Sequence, residues 1–450
     1  MLLEALPLLM FLMLVPLLFS GIPVAFALGG TGLIFWLLAV SLGLENSNSF
    51  YLVISRIFGG VIAKPLLVAI PLFILMGNLL ERAGIAEDLL KTLQQWTRRV
   101  PGGLALSVAL IGVILAATTG IIGASVVMLT VLAMPQMINA GYDKGLAAGT
   151  VAASGTLGIL LPPSIMLVVM ADLLAISAGV LFQAAIVPAL MLSGLYMIYL
   201  LVRTSLNPAL APRPSMDEES PISFTSGLAA LIPPVLLILL VLGSIFGGYA
   251  TPTEASGLGA AGALLLALVR GKLTKDTLKA ALDNTVLTSA MIFGLFIGAT
   301  AFSFVFTLLG GHDLILEAIA EGGHGPWTVV LTLMATAFIL GFFFDWIEIT
   351  LILLPVFAPV IAGLDFGDHV APGLGVAWFA ILLAVNLQTS FLTPPFGFAL
   401  FYLKGAAPEG VTIQDVYRGV IPFILLQLAA LGMIMLWPEI VTALPVWLSA

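Results

Sequence analysis

The chain has 450 residues, 61% hydrophobic and only 8% charged, with a net charge of −8 and no cysteine. A soluble domain carries about 25% charged residues, so this composition excludes a water-facing surface and places the chain in a membrane as a multi-pass protein. The acidic balance, with no basic run, argues against a nucleic-acid partner, and the missing thiols exclude disulfides, thiol catalysis and cysteine metal sites.

In chain order, the first apolar run covers 4–20 and is preceded only by Glu4. A secretory leader needs a basic start, so this run reads as a retained helix. A second span follows at 22–43; a crossing needs about 20 apolar residues. Residues 50–63 carry Arg56 among apolar side chains and suit a helix lying at the interface. Residues 64–83 suit a re-entrant hairpin. Asn78 within them is a lone amide, expected to hydrogen-bond another helix or to serve a site. After a mixed stretch, 84–100, comes a run too long for one straight crossing, 103–139. Inside it Thr118, Thr119, Gly120, Gly123 and Ser125 form a cluster of hydroxyls and glycines. Glycine permits unwound backbone, and hydroxyls with freed carbonyls are hard ligands for a small cation. The same small residues also serve tight helix packing.

Spans at 146–170 and 180–202 complete a first set. The former contains Gly155-Thr156-Leu157-Gly158-Ile159-Leu160-Leu161-Pro162-Pro163-Ser164. Proline lacks an amide donor and clashes with the preceding turn, so the helix must break here. Freed carbonyls at membrane depth are tolerated only where protein, water or a ligand satisfies them.

A solvated linker, 204–225, separates this first repeat, 1–203, from a second, 226–450. The second holds spans at 226–248, 256–270, 327–361, 374–400 and 415–440. Before 256–270, Thr251, Pro252, Thr253 and Glu254 have the pattern of a helix start: a capping hydroxyl, a first-turn proline and an acid at the positive end. The hydroxyl density also allows a site role. Residues 271–287 and 288–310 repeat the interfacial-helix and hairpin pattern. In 327–361, Asp345 and Glu348 share one helix face with Thr350 nearby. A charge at mid-membrane costs about 2.5–3.5 kcal/mol on insertion scales. A coupling-cation ligand, a proton carrier, an inter-domain anchor and a wetted helix end all remain open. A second break is predicted at Thr393, Pro394 and Pro395.

The two sets match in order, at a shift of roughly 225–235 residues. Pro162-Pro163 answers Pro394-Pro395, and the run ending at Pro188 answers the run ending at Pro422. Five crossings per copy make the second copy enter from the opposite face, an inverted repeat. Paired breaks in two such halves point to a secondary transporter's binding site. There is no P-loop, no HExxH and no GxSxG, so the chain is read as no enzyme, and transport draws on an ion gradient unless a partner supplies the energy.

GASVV, GYDKG, SGTLGILLPPSI and LFQAAIVP, all between Thr118 and Pro188, together with PLFILMGN from Pro71, GGYATPTEA from Gly247 and FLTPPFGFALFYLKG from Phe391, resemble the large membrane subunit of tripartite ATP-independent periplasmic (TRAP) transporters, the DctM type. The resemblance covers nearly the whole chain. It implies an all-α protein of about ten transmembrane helices plus two re-entrant hairpins, divided into an elevator-type scaffold and transport domain in a bacterial inner membrane. It also implies sodium as the coupling ion with no other cofactor, and organic acids as substrates. Two partners are implied: a small four-helix membrane subunit (DctQ-like) and a periplasmic substrate-binding protein (DctP-like). Thr118 to Ser125 depart from the family's serine-rich SGSS-type pattern, and FFFDWIEI is similar to a subgroup associated with oxo-acids and other monocarboxylates. On this reading the substrate carboxylate lies against half-helix N-termini at Pro162, Pro163, Ser164, Thr393, Pro394 and Pro395. Sodium lies near Thr118–Ser125 and near Asp345, Glu348 and Thr350. A stand-alone sodium–carboxylate symporter is the alternative.

Overall fold

A computed structural model of the chain describes residues 6–119, 122–212, 224–321 and 325–449; among these there is no strand. The first half contains α1 (Leu6–Phe19), α2 (Val24–Ser41), α3 (Phe50–Ile57), α4 (Ala69–Arg82), α5 (Ile85–Thr97), α6 (Gly103–Thr119), α7 (Ile122–Asn139), α8 (Lys144–Thr156), α9 (Ile165–Leu173) and α10 (Ala178–Leu206). The second contains α11 (Phe224–Phe246), α12 (Pro252–Val269), α13 (Lys275–Leu308), α14 (Gly311–Glu321), α15 (Pro326–Leu340), α16 (Trp346–Ala362), α17 (Gly375–Leu392), α18 (Phe398–Ala406), α19 (Ile413–Leu436) and α20 (Glu439–Ser449). Among the described residues, nine helices are long and apolar enough to cross a membrane.

The predicted hairpin segments are corrected. Residues 64–83 form a 3-10 turn, Pro65–Val68, running directly into α4. Residues 288–310 are mostly the second part of α13, and 271–287 supply its start, so no separate interfacial helix precedes it. At 34 residues α13 is about 51 Å long. It holds no proline, and its glycines serve packing rather than bending: a Cβ on Gly298 would run into the Ala25 carbonyl of α2.

The returning hairpins are instead 103–139 and 326–362. The Leu104 amide at the start of α6 donates to the Tyr142 hydroxyl just past α7, at 3.2 Å. In the second half Trp327, at the start of α15, packs edge-on to Phe366 and His369 beyond α16, with centroids 5.5 and 5.1 Å away. Each helix pair therefore comes back to the side it left. The α6 and α7 arms, 17 and 18 residues, reach about 25 Å against a hydrocarbon core of about 30 Å. With 65–82 long and apolar enough to cross and 103–139 returning, the first half keeps five crossings.

Packing between the halves is reciprocal. α2 lies on α13 while α12 lies on α4, and α9 lies on α16 while α18 lies on α7. Backbones also come close between α8 and α19, where a Cβ on Gly149 would collide with the Gly419 carbonyl. In the predicted linker, Thr204 to Leu206 are still α10, Pro208–Leu210 form a 3-10 turn, and residues 213–223 lie outside the described ones.

Candidate functional site: two interrupted helices and their hairpin tips

Both double prolines interrupt a helix. After α8 the chain makes one 3-10 turn, Leu157–Ile159, passes Pro162 and Pro163, and restarts as α9. After α17 it passes Thr393, Pro394 and Pro395 and restarts at Gly397 as α18. The Pro162–Pro163 and Pro394–Pro395 peptide bonds are both cis. The Ser164 hydroxyl turns back to the Ile159 carbonyl at 2.8 Å, and the Thr393 hydroxyl to the Thr389 carbonyl at 2.8 Å. No side chain caps either restarted helix, so their first-turn amides keep the positive end of the helix dipole unmasked.

Each interruption sits beside the tip of its own hairpin. Gly112 and Val126, on the two arms of the first, face Ser154 and Gly155: a Cβ on Gly112 would lie 2.5 Å from the Ser154 Cβ, and one on Gly155 would lie 2.5 Å from the Val126 side chain. In the second half, Asn386 donates to the Met334 carbonyl at 2.8 Å and the Ser390 hydroxyl to the Phe338 carbonyl. The two interruptions also meet each other. The Gln388 side-chain amide of α17 donates to the Thr156 hydroxyl at the end of α8, 3.3 Å away, with both residues fully buried. Gln388 Oε1 has no hydrogen-bond partner among the described residues.

The cation candidates separate. Gly120 lies outside the described residues, as do the side chains of Thr118 and Thr119. Ser125 is buried, and a Cβ on Gly123 would come within 2.8 Å of the Tyr402 ring on α18. Tyr402 also lines one cavity with Phe344, the residue before Asp345, so the first tip and the second border the same tyrosine. Asp345 is the N-cap of α16: it accepts from the Trp346 amide at 2.7 Å while Glu348 accepts from the Asp345 amide at 3.2 Å. These acids therefore stand at a helix start, and that start is a hairpin tip beside a broken helix. The Thr350 hydroxyl is buried and bonded to the Ile347 carbonyl at 3.0 Å. Next to this tip opens a cavity of about 430 Å³ walled by Phe19, Phe342, Phe343, Phe396, Phe398 and Tyr402. No group of three or more histidine or carboxylate ligands occurs among the described residues.

Asn78, Thr251, Thr253 and Glu254 are not brought to this site. Asn78 donates to the Thr285 hydroxyl at 3.0 Å and accepts from Asn284 at 2.7 Å, joining α4 to α13. Thr251 and Glu254 form a capping box on α12, and the Thr253 hydroxyl ties that helix start to the Pro65 carbonyl at 2.9 Å. Sequence reasoning passed over Gln388, Ser390 and Tyr402. The signal was present: Asn386, Gln388, Thr389 and Ser390 fall within one apolar span, and polar side chains at that depth mark pathways.

The family model described as "Tripartite ATP-independent periplasmic transporter, DctM component" matches residues 11–440. The chain is 32% identical over 387 residues to the C4-dicarboxylate TRAP transporter large permease protein DctM of Pseudomonas aeruginosa, covering 85% of this chain and 87% of that one. It is 30% identical to the protein of the same description from Rhodobacter capsulatus, over 97% and 98% of the two chains. It is 29% identical to the ectoine TRAP transporter large permease protein TeaC of Halomonas elongata, over 83% and 84%. Among solved structures, the Alcanivorax borkumensis YdaH transporter aligns over 90% of each chain with a TM-score of 0.61 at 16% identity, a likeness of fold alone.

Proposed function

The chain belongs to the DctM family, the large permease component of tripartite ATP-independent periplasmic transporters, and from that membership we propose that it is a sodium-coupled importer of organic acid anions. It is a multi-pass inner-membrane transport subunit and not an enzyme. The family works as a tripartite system. In the proposed cycle a periplasmic binding protein delivers the anion, and a small four-helix subunit completes the membrane part.

The observation that carries this reading is the Gln388–Thr156 contact, which joins two interrupted helices at the level of two hairpin tips. The uncapped starts of α9 and α18 suit a carboxylate, because helix N-termini offer free amides and a positive dipole end. Sodium is assigned to the carbonyls and hydroxyls around Gly123 and Ser125 and to the tip bearing Asp345, Glu348 and Thr350. A cation there offsets the cost of holding an anion at low dielectric. The two halves, 1–203 and 226–450, act in this reading as inverted repeats around that site, with the hairpins and broken helices as the moving part.

The test is uptake of labelled succinate and pyruvate by proteoliposomes holding the permease with its small subunit, fed by the binding protein. Uptake is expected only with external sodium and only with the binding protein. Equal uptake by the permease alone in potassium overturns the reading, and sodium-dependent uptake by the permease alone makes it a stand-alone symporter.

A further inference from the structure

A second cavity, about 440 Å³, opens away from the hairpin tips between α3, α9, α13, α14 and α16. That volume falls among small-ligand pockets, roughly 300–1,000 Å³. Its walls carry a charge pattern found nowhere at the interruptions. Lys64, ahead of α4, donates to Asp172 near the end of α9 at 2.7 Å. The ammonium has three donors, and with its side chain 37% exposed it can offer the others to the opening, while the Asp172 side chain is only 7% exposed. Arg56 on α3 lines the same space and has no carboxylate partner among the described residues. Two cations against one carboxylate leave the cavity net positive inside a chain of net charge −8. The far wall adds the Ser303 hydroxyl and His312, whose buried Nε2 has no hydrogen-bond partner among the described residues. Thr307, beside them, spends its proton on the Ser303 carbonyl.

A neutral solute or a metal cation leaves this set unmatched. A small carboxylate matches it: the guanidinium binds two carboxylate oxygens at once, and the ammonium and the Ser303 hydroxyl serve the remaining lone pairs. We propose that this cavity is a second anion site, a station that holds a small organic carboxylate through Arg56 and Lys64 apart from the interruptions. The identity of the anion as an organic acid rests on the transport reading above. The station adjoins the cargo path, because Asp172 lies in the last turn of the short helix that restarts after Ser164. An anion held by the remaining Lys64 donors leaves the Asp172 bond in place, so α9 stays tied to the segment ahead of α4.

The absence of native cysteine makes the test direct. Ser303→Cys provides one thiol on the cavity wall of the complete transporter in phosphatidylcholine nanodiscs. Pyruvate or succinate is expected to slow its labelling by a maleimide several-fold. Arg56→Gln removes that protection, read as the ratio of rates with and without anion in the same variant, and Arg56→Lys retains part of it. Gln388→Leu, which alters the interruptions, leaves the protection in place. No protection by either acid, or full protection in the Arg56→Gln variant, overturns the proposal. Protection lost in Gln388→Leu also overturns it, because the effect then comes from the interruptions. Slow labelling caused by phosphatidylglycerol in the disc, with no further slowing by soluble acid, gives the cavity to a lipid headgroup and likewise overturns it. Failure of sodium-dependent uptake with protection intact falsifies the transport reading and spares the station.

Discussion

From Ala153 to Met170 every residue of the first interruption is buried except Leu161, whereas Thr393 and Pro394 of the second are half-buried and Pro395 and Phe396 are exposed. The local construction is the same on both sides: two prolines, a hydroxyl turned back on the preceding helix, and an uncapped nine-residue helix beyond. The surroundings differ. The first break is closed over by both arms of its hairpin and by α10 and α16 on α9. The second has its Pro395 carbonyl held by the Tyr417 hydroxyl at 2.6 Å, and it borders the aromatic cavity. Exposure here is therefore a property of the packing around a motif and not of the motif. On the proposed cycle, alternating access is an exchange of these two environments between the halves.

The largest effect is expected where the two breaks touch. Gln388→Leu removes the amide that reaches Thr156, and it also removes a buried carbonyl without a partner among the described residues. Thr156 keeps its own bond to the Ala153 carbonyl at 2.9 Å. Replacing a polar group by an apolar one of similar shape is nearly neutral when nothing is left unpaired, so the melting midpoint should hold while uptake falls more than about tenfold, roughly 1.4 kcal/mol or more in the transport barrier. Unchanged uptake would show that the two interruptions work independently.

A smaller, graded effect should separate the sealed break from the open one. Single thiols at Ser164→Cys and Phe396→Cys are expected to label at very different rates, the second much the faster, with sodium plus organic acid narrowing the gap. Ser164 is fully buried and Phe396 is 45% exposed. Equal rates without ligand would mean that the two environments already exchange in the resting protein.

Much of this was legible in the chain. The double prolines located both breaks, because the missing amide donor leaves a helix no alternative at that depth. The apolar runs located α1, α2, α10, α11 and α19 closely, since length and hydropathy are what a bilayer tests. What was not legible was which long run folds back. Hydropathy is the same for a crossing and for a hairpin arm, and only the meeting of Leu104 with Tyr142, or of Trp327 with Phe366, distinguishes them. Asn78 reads in sequence as either a site amide or a structural one, and its bonds to Asn284 and Thr285 make it structural. Gln388 was overlooked because attention to charge ranks Asp345 above a neutral amide, although burying an amide with an unpaired carbonyl is itself costly.

The smallest effect comes from comparing two helix caps of one design. Thr251 with Glu254 caps α12 in an exposed setting, and Asp345 with Glu348 caps α16 at a hairpin tip. In the first, Glu254 accepts from the Thr251 amide at 2.8 Å, and the Thr251 hydroxyl accepts from the Glu254 amide at 3.3 Å. Thr251→Ala loses the cap alone, so stability should drop by about 1 kcal/mol, seen as a small fall in the melting midpoint, with uptake unchanged. Asparagine caps about as well as aspartate, so Asp345→Asn should cost still less stability. Any loss of sodium-dependent uptake in that variant then belongs to the carboxylate charge and not to the helix end. If Asp345→Asn transports as well as the parent at every sodium concentration, Asp345 is a cap like Thr251, and a cation at the second tip must be held by Glu348, carbonyls or hydroxyls.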